Sequence, residues 1–226
     1  MIQIATHHRC GTVLMRNTFR KYCDLTSQTF YKGDAANLPE NVDVYQSAHS
    51  RAIDIIPNDA SLGVHLYRDP IKLLLSHIKY HEKSESEYEA SNKLKINGVL
   101  YRDYLKSIEG INAKAKFEIE NIYGRTLKLM LDWDYSDKRF LNLDLDRFRD
   151  NEIEETVKVI SRHFQLRDEE LLLKSFRLAN GNAEVKKKHG TSHSSNNEEL
   201  SDELYSYLDV KFPKLKRFMD DFGYSF

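Results

Sequence analysis

A β-branched run, Ile2-Gln3-Ile4-Ala5-Thr6, passes through a tight loop straight into a stretch with helical periodicity. Nothing else in the sequence restricts the fold as much. The loop is His7-His8-Arg9-Cys10-Gly11-Thr12, and the apolar residues after it (Val13, Leu14, Met15, Phe19, Tyr22) recur at helical spacing. The order strand, loop, helix then repeats along the chain. Val42–Tyr45 and Gly63–Tyr67 read as second and third strands, and Arg139–Leu145 alternates into a fourth. Pro70 suits the first turn of a helix continuing from Ile71 to Tyr80. Leu100–Leu131 reads as one or two long helices, Ile153–Phe164 and Glu169–Phe176 as amphipathic helices, and Leu200–Phe222 as a closing helix. Residues 33–39 are punctuated as a loop, Lys83–Asn92 is an acidic, Ser-rich excursion, and Ala179–Asn197 is polar. No internal repeat is present.

Strands separated by helices imply an α/β fold: three layers, with a central, mainly parallel sheet flanked by helices. At 226 residues the chain is long enough to bury a substantial core, and it is expected to form one domain over 1–226. Thirteen Tyr and 11 Phe argue against intrinsic disorder. A net charge of −1 gives no whole-chain attraction to nucleic acid or acidic lipid, so any anion site must be local. No apolar run approaches the ~20 residues of a membrane span, and the N-terminus lacks a signal-peptide pattern. Two cysteines, Cys10 and Cys23, fit a reducing compartment, so a cytoplasmic protein is expected.

In parallel sheets, ligands bind beyond the C-terminal strand ends, and two segments there carry chemistry. The first is Arg9-Cys10-Gly11-Thr12. A glycine at that point lets backbone N–H groups approach an anion, and a helix N-terminus supplies the favourable end of its dipole. Arg9 adds a fixed charge and Thr12 a hydroxyl, while the Walker pattern is absent. The bland alternative is a plain strand–helix turn. The second segment is Arg68-Asp69-Pro70 with Ser76 eight residues after the arginine. Its bland alternative is an arginine paired with a carboxylate and a serine facing solvent.

Taken together, the two segments resemble the cofactor signature of sulfotransferases that use 3′-phosphoadenosine 5′-phosphosulfate (PAPS). The family's first motif, P-[KR]-[SC]-G-[TS]-[TS]-[WL], reads here as His8-Arg9-Cys10-Gly11-Thr12-Val13-Leu14, with His8 in place of Pro and Val13 in place of a second hydroxyl. Its R-[ND]-P motif with a serine at plus eight is matched by Arg68, Asp69, Pro70 and Ser76. Lys174-Ser175-Phe176 is similar to a segment whose ring, here Phe176, lies near the adenine. Leu143-Asp144-Leu145-Asp146 is similar to a Y-E-D-L segment, and Lys188-His189-Gly190 to a late loop returning to the 3′-phosphate. That late loop continues as Thr191-Ser192-His193, without the family's G-D-W-K.

The resemblance implies a P-loop-like fold and cofactor contacts from Arg9, Cys10, Gly11, Thr12, Val13, Arg68, Ser76, Phe176, Lys188, His189 and Gly190. The implied reaction is in-line sulfuryl transfer from PAPS to a hydroxyl or amine of a small-molecule or saccharide acceptor, leaving adenosine 3′,5′-bisphosphate. Arg9 is the cation placed to meet charge on the leaving phosphate. A histidine suits the general base. His49, after the second strand, is the candidate, with His7 and His8 as rivals inside the loop. No metal is called for. Two other readings are a P-loop-like kinase using ATP and a non-catalytic nucleotide-binding module; a nucleic-acid binder built on Lys186–Lys188 is disfavoured by the net charge.

Overall fold

The structure, a computed structural model, describes residues 1–47, 61–83, 93–149, 153–166, 168–181 and 199–225. The chain divides into two compact units: Met1–Arg68 with Asp132–Ala183, and Asp69–Leu131 with Glu184–Phe226.

The first unit holds a five-stranded sheet built from β1 (Ile2–Thr6), β2 (Phe30–Gly33), β3 (Val44–Ser47), β4 (Leu62–Tyr67) and β7 (Phe140–Asp144). Its order is β2-β3-β1-β4-β7, and every pairing is parallel. The expected α/β class with a central parallel sheet is therefore what the chain forms. The strand at Val42–Tyr45 is shifted to Val44–Ser47, and β2 was not anticipated.

Strand alternation sends Ile4, Val44, Val64 and Leu66 to one face of the sheet. Against it pack Met15 and Phe19 of α1 (Thr12–Thr26), Val157, Ile160 and Phe164 of α7 (Ile153–Phe164), and Leu172 and Phe176 of α8 (Glu169–Gly181). His163 of α7 donates from Nε2 to the carbonyls of Gly63 (3.1 Å) and Arg139 (3.0 Å), tying the helix to the starts of β4 and β7.

The other sheet face carries Ala5, His65, Asn142 and Phe140, with Ala5 opposite His65 and His65 opposite Asn142 in register. Gly63 pairs with Phe140, and a Cβ on Gly63 would lie 2.1 Å from the Phe140 ring. That ring is itself pinned by Trp133, edge-on at 5.0 Å. Gly63→Ala is therefore expected to destabilise the protein by about 1–3 kcal/mol, measured by urea denaturation, because the ring must move within a packed face. A variant as stable as the parent would show that Phe140 has room to turn.

The second unit contains α2 (Pro70–Lys83), a β5–β6 hairpin (Lys95–Ile96, Val99–Leu100), α3 (Tyr101–Ser107), α4 (Ile111–Asn121), α5 (Tyr123–Leu131), α9 (Asp202–Lys211) and α10 (Leu215–Phe222). The long stretch 100–131 is thus three helices, broken at Ile108–Gly110 and at Ile122. The closing helix is two, separated at Phe212-Pro213, where proline cannot donate the next helical hydrogen bond. The short helix α6 (Leu145–Arg149) belongs to the first unit. Among the described residues, no helix is long and apolar enough to cross a membrane.

Candidate functional site

The loop between β1 and α1 is closed by its own backbone. The carbonyl of His7 accepts the N–H of Cys10 at 2.9 Å and the hydroxyl of Thr12 at 3.2 Å. The Thr12 oxygen also lies 2.9 Å from the Thr6 hydroxyl, and Gln46 of β3 donates to the Thr12 carbonyl at 3.1 Å. Thr12 thus uses its hydroxyl to tie off the loop, a role the sequence reading had not assigned.

Two left-handed residues shape the turn, Arg9 (φ 65°) and Gly11 (φ 74°). Gly11 is required twice over: its φ favours glycine, and a Cβ there would meet Leu66 and Leu145, each at 3.0 Å. Cys10, fully buried and in no disulfide, fills space under the turn. Helix α1 starts without a side-chain cap and without an acidic residue in its first turn. Its first helical hydrogen bond runs from Met15 N–H to the Gly11 carbonyl. The N–H groups of Thr12, Val13 and Leu14 therefore precede the helical ladder, at the positive end of the helix dipole. An anion is the ligand this arrangement suits.

Arg68 ends β4, in the same unit. Its guanidinium forks onto Asp146 of α6, Nη2 to Oδ1 at 2.7 Å and Nε to Oδ2 at 3.3 Å, with both side chains largely buried. The carboxylate-paired arginine raised as the bland alternative is thus present. The pair uses one edge of the guanidinium. Asp146 is supported in turn, its N–H donating to Asp144 Oδ1 at 2.8 Å.

In the second unit, Asp69 caps α2 by accepting from the N–H groups of Ile71 (2.7 Å) and Lys72 (3.2 Å), with Pro70 in the first turn. Ser76 lies on that helix, half-buried. Phe176 lies in the apolar core of the first unit, edge-on to Phe148 at 5.2 Å and only 2% exposed. His49, Lys188, His189 and Gly190 lie outside the described residues.

Two polar clusters are marked by no sequence motif, although His7, a rival base above, belongs to the first. In the first unit, His7 Nε2 lies 2.9 Å from His65 Nε2, and His65 Nδ1 lies 2.9 Å from Asn142 Oδ1. The His65 ring stacks on Trp133 with centroids 4.1 Å apart. Burial pushes the His7 pKa down to about 3 and holds His65 well below the usual imidazole range, with His7 adding to the effect on His65. In the second unit, His77 and His81, one turn apart on α2, flank the buried Glu118 of α4, whose carboxylate lies 2.7 Å from His81 Nδ1 and 3.9 Å from His77 Nδ1. The i, i+4 spacing of these two histidines was the available signal.

The sheet and its strand–glycine loop–helix junction define a P-loop-like α/β fold. No protein-family model and no curated protein matches the sequence. Among solved structures, the chain is similar to the crystal structure of mouse sulfotransferase SULT7A1 complexed with PAP. The TM-score is 0.47 and the identity 10%, over 97% of this chain and 82% of that one.

Proposed function

We propose that this chain is a PAPS-dependent sulfotransferase, and that its β1–α1 loop receives the 5′-phosphosulfate end of the cofactor. The observation that carries the reading is the loop itself. Gly11 is left-handed, Arg9 stands on the turn, and α1 begins with uncapped N–H groups and no acid in its first turn. The motif resemblance supplies the choice of ligand.

When bound, PAPS supplies the activated sulfuryl group. Arg9 would offset charge developing on the leaving phosphate, and the N–H groups of Thr12 and Val13 would orient it. Arg68 would meet the 3′-phosphate with the guanidinium edge that Asp146 leaves over, and Ser76 is the second residue the motif assigns there. His49 is the proposed base for the acceptor hydroxyl, and Lys188, His189 and Gly190 keep their proposed contact with the 3′-phosphate. Phe176, whose ring packs in the core beside Phe148, keeps its proposed place near the adenine. The acceptor is a small molecule or saccharide, 1–226 is one sulfotransferase-like domain, and two buried cysteines in no disulfide fit a cytoplasmic setting.

The test is a thermal-shift titration with adenosine 3′,5′-bisphosphate against ATP. At about 100 times its dissociation constant, the bisphosphate should add roughly 2.7 kcal/mol of stability. An equal or larger shift with ATP would favour the kinase reading, and no shift at millimolar bisphosphate would end the sulfotransferase one.

A further inference from the structure

Trp133 has one ring polar atom, an N–H that can only donate. Its 3.0 Å hydrogen bond to Asn142 Oδ1 therefore fixes that amide oxygen as the acceptor, and Asn142 Nδ2 donates at 3.3 Å to the Tyr135 carbonyl. His65 Nδ1 lies 2.9 Å from the same oxygen, so it must carry a proton. A neutral imidazole holds one proton, which leaves His65 Nε2 as a bare acceptor. His7 Nε2, 2.9 Å away, must then be the donor, and His7 Nδ1 keeps its lone pair. That last atom is buried and has no hydrogen-bond partner among the described residues.

The environment keeps both rings neutral. Both are at least 99% buried, and burial depresses the affinity of each for a second proton. Tyr67 and Tyr135 stand around His65 at 6.2 and 5.5 Å, with Asp144 and Arg147 acting on Tyr67, and Cys10 on Tyr135. Burial pushes the Tyr67 phenol up to about 12 and raises Tyr135 as well. The chain of hydrogen bonds ends on the residue that closes the loop, since the His7 carbonyl holds both Cys10 and Thr12.

We propose that His7, His65 and Asn142 form a one-way hydrogen-bond relay, His7 donating to His65 and His65 to the Asn142 oxygen that Trp133 also holds, and that it makes His7 the positioning residue of the β1–α1 loop. The consequence for ligand affinity rests on the anion-site reading above; the order of the hydrogen bonds does not.

Long-range proton–nitrogen spectra of imidazole-labelled protein at pH 7 test the order directly. His65 is expected as the Nδ1–H form and His7 as the Nε2–H form, both neutral. Any other pair of tautomers overturns the relay. Asn142→Asp keeps an acceptor for Trp133 but favours a charged His65, whose Nε2–H would then face His7. Where the variant's spectra show His65 doubly protonated, His7 should switch to the Nδ1–H form, and an unchanged His7 tautomer beside a charged His65 also overturns the relay; where His65 stays neutral, His7 should keep the Nε2–H form, and a switch there overturns it.

Affinity for adenosine 3′,5′-bisphosphate is read separately. His7→Gln keeps a side-chain donor and should stay within about threefold of the parent, whereas His7→Leu should bind about tenfold more weakly. Equal affinities across the three proteins would remove the positioning role. Should His7→Leu fail to fold, His7→Gln, Asn142→Asp and the tautomer spectra still decide the question. A parent protein that binds no nucleotide ends the anion-site reading, while the spectra still judge the relay.

Discussion

Between pH 6.5 and 4.5 the protein is expected to lose about 2 kcal/mol of stability through His7, with His65 adding to the loss in the same direction. The sign follows from where each proton can go. In the unfolded chain both imidazoles protonate as the pH falls through about 6.5. In the folded state burial holds His7 down to about 3, so it takes up no proton in this window, and the same burial disfavours a second proton on His65. The unfolded state then binds up to two more protons, and each contributes a slope of about 1.4 kcal/mol per pH unit once fully developed. Stability is complete above pH 6.5 and drains away as the pH falls toward the folded values. The His7 part alone is a large fraction of the stability of a marginal domain, for which 5 kcal/mol is about the lower end. Urea midpoints at half-unit pH steps measure it, and the window lies above the pH at which most carboxylates protonate. His7→Gln should reduce the slope by about 1.4 kcal/mol per pH unit. A flat profile from 6.5 to 4.5 would mean that the pair accepts a proton while folded, and the neutral assignment would fail.

The part of the fold visible in the sequence was the part written in local periodicity. Ile2–Thr6, the glycine loop and α1 follow from a β-branched run ending in a glycine and then apolar residues at helical spacing. Pro70 marked the start of α2, and Asp69 before it supplies the cap. Strand β2 was missed because Phe30–Gly33 is four residues long and pairs with β3 alone, which leaves too short an alternation to stand out beside a Gly- and Pro-rich loop. The hairpin at residues 95–100 had a readable signal, Asn97-Gly98, whose positive φ values of 50° and 82° suit a tight two-residue turn. Of the candidate site, the loop residues were legible because their chemistry is consecutive. His65 and Asn142 were not. They lie 77 positions apart, and only the parallel register of β4 and β7 sets their side chains next to each other. Asp146 was noticed as part of a motif, yet nothing local in the sequence says that its carboxylate forks with Arg68.

That fork gives the second large effect. Arg68→Ala should cost about 3 kcal/mol of stability, because Asp146 would keep its charge in a largely buried position without the guanidinium that offsets it. Arg68→Lys should recover only part of the loss, since an ammonium cannot reproduce the two parallel hydrogen bonds. Removing both charges, as Arg68→Met with Asp146→Leu, should restore most of the stability, because a buried pair replaced by apolar residues of similar volume is often close to neutral. The double variant also separates the two roles open to Arg68. A purely structural arginine predicts that adenosine 3′,5′-bisphosphate binds the double variant as tightly as the parent. A phosphate-gripping arginine predicts a stable protein that binds the bisphosphate tenfold or more weakly, while adenosine 5′-phosphosulfate, which lacks the 3′-phosphate, loses little. Urea denaturation and calorimetric titration of the four proteins read both quantities. A loss for Arg68→Ala below about 1 kcal/mol would place the pair with solvent-exposed ion pairs. Equal losses for the two nucleotides would take Arg68 out of the 3′-phosphate site.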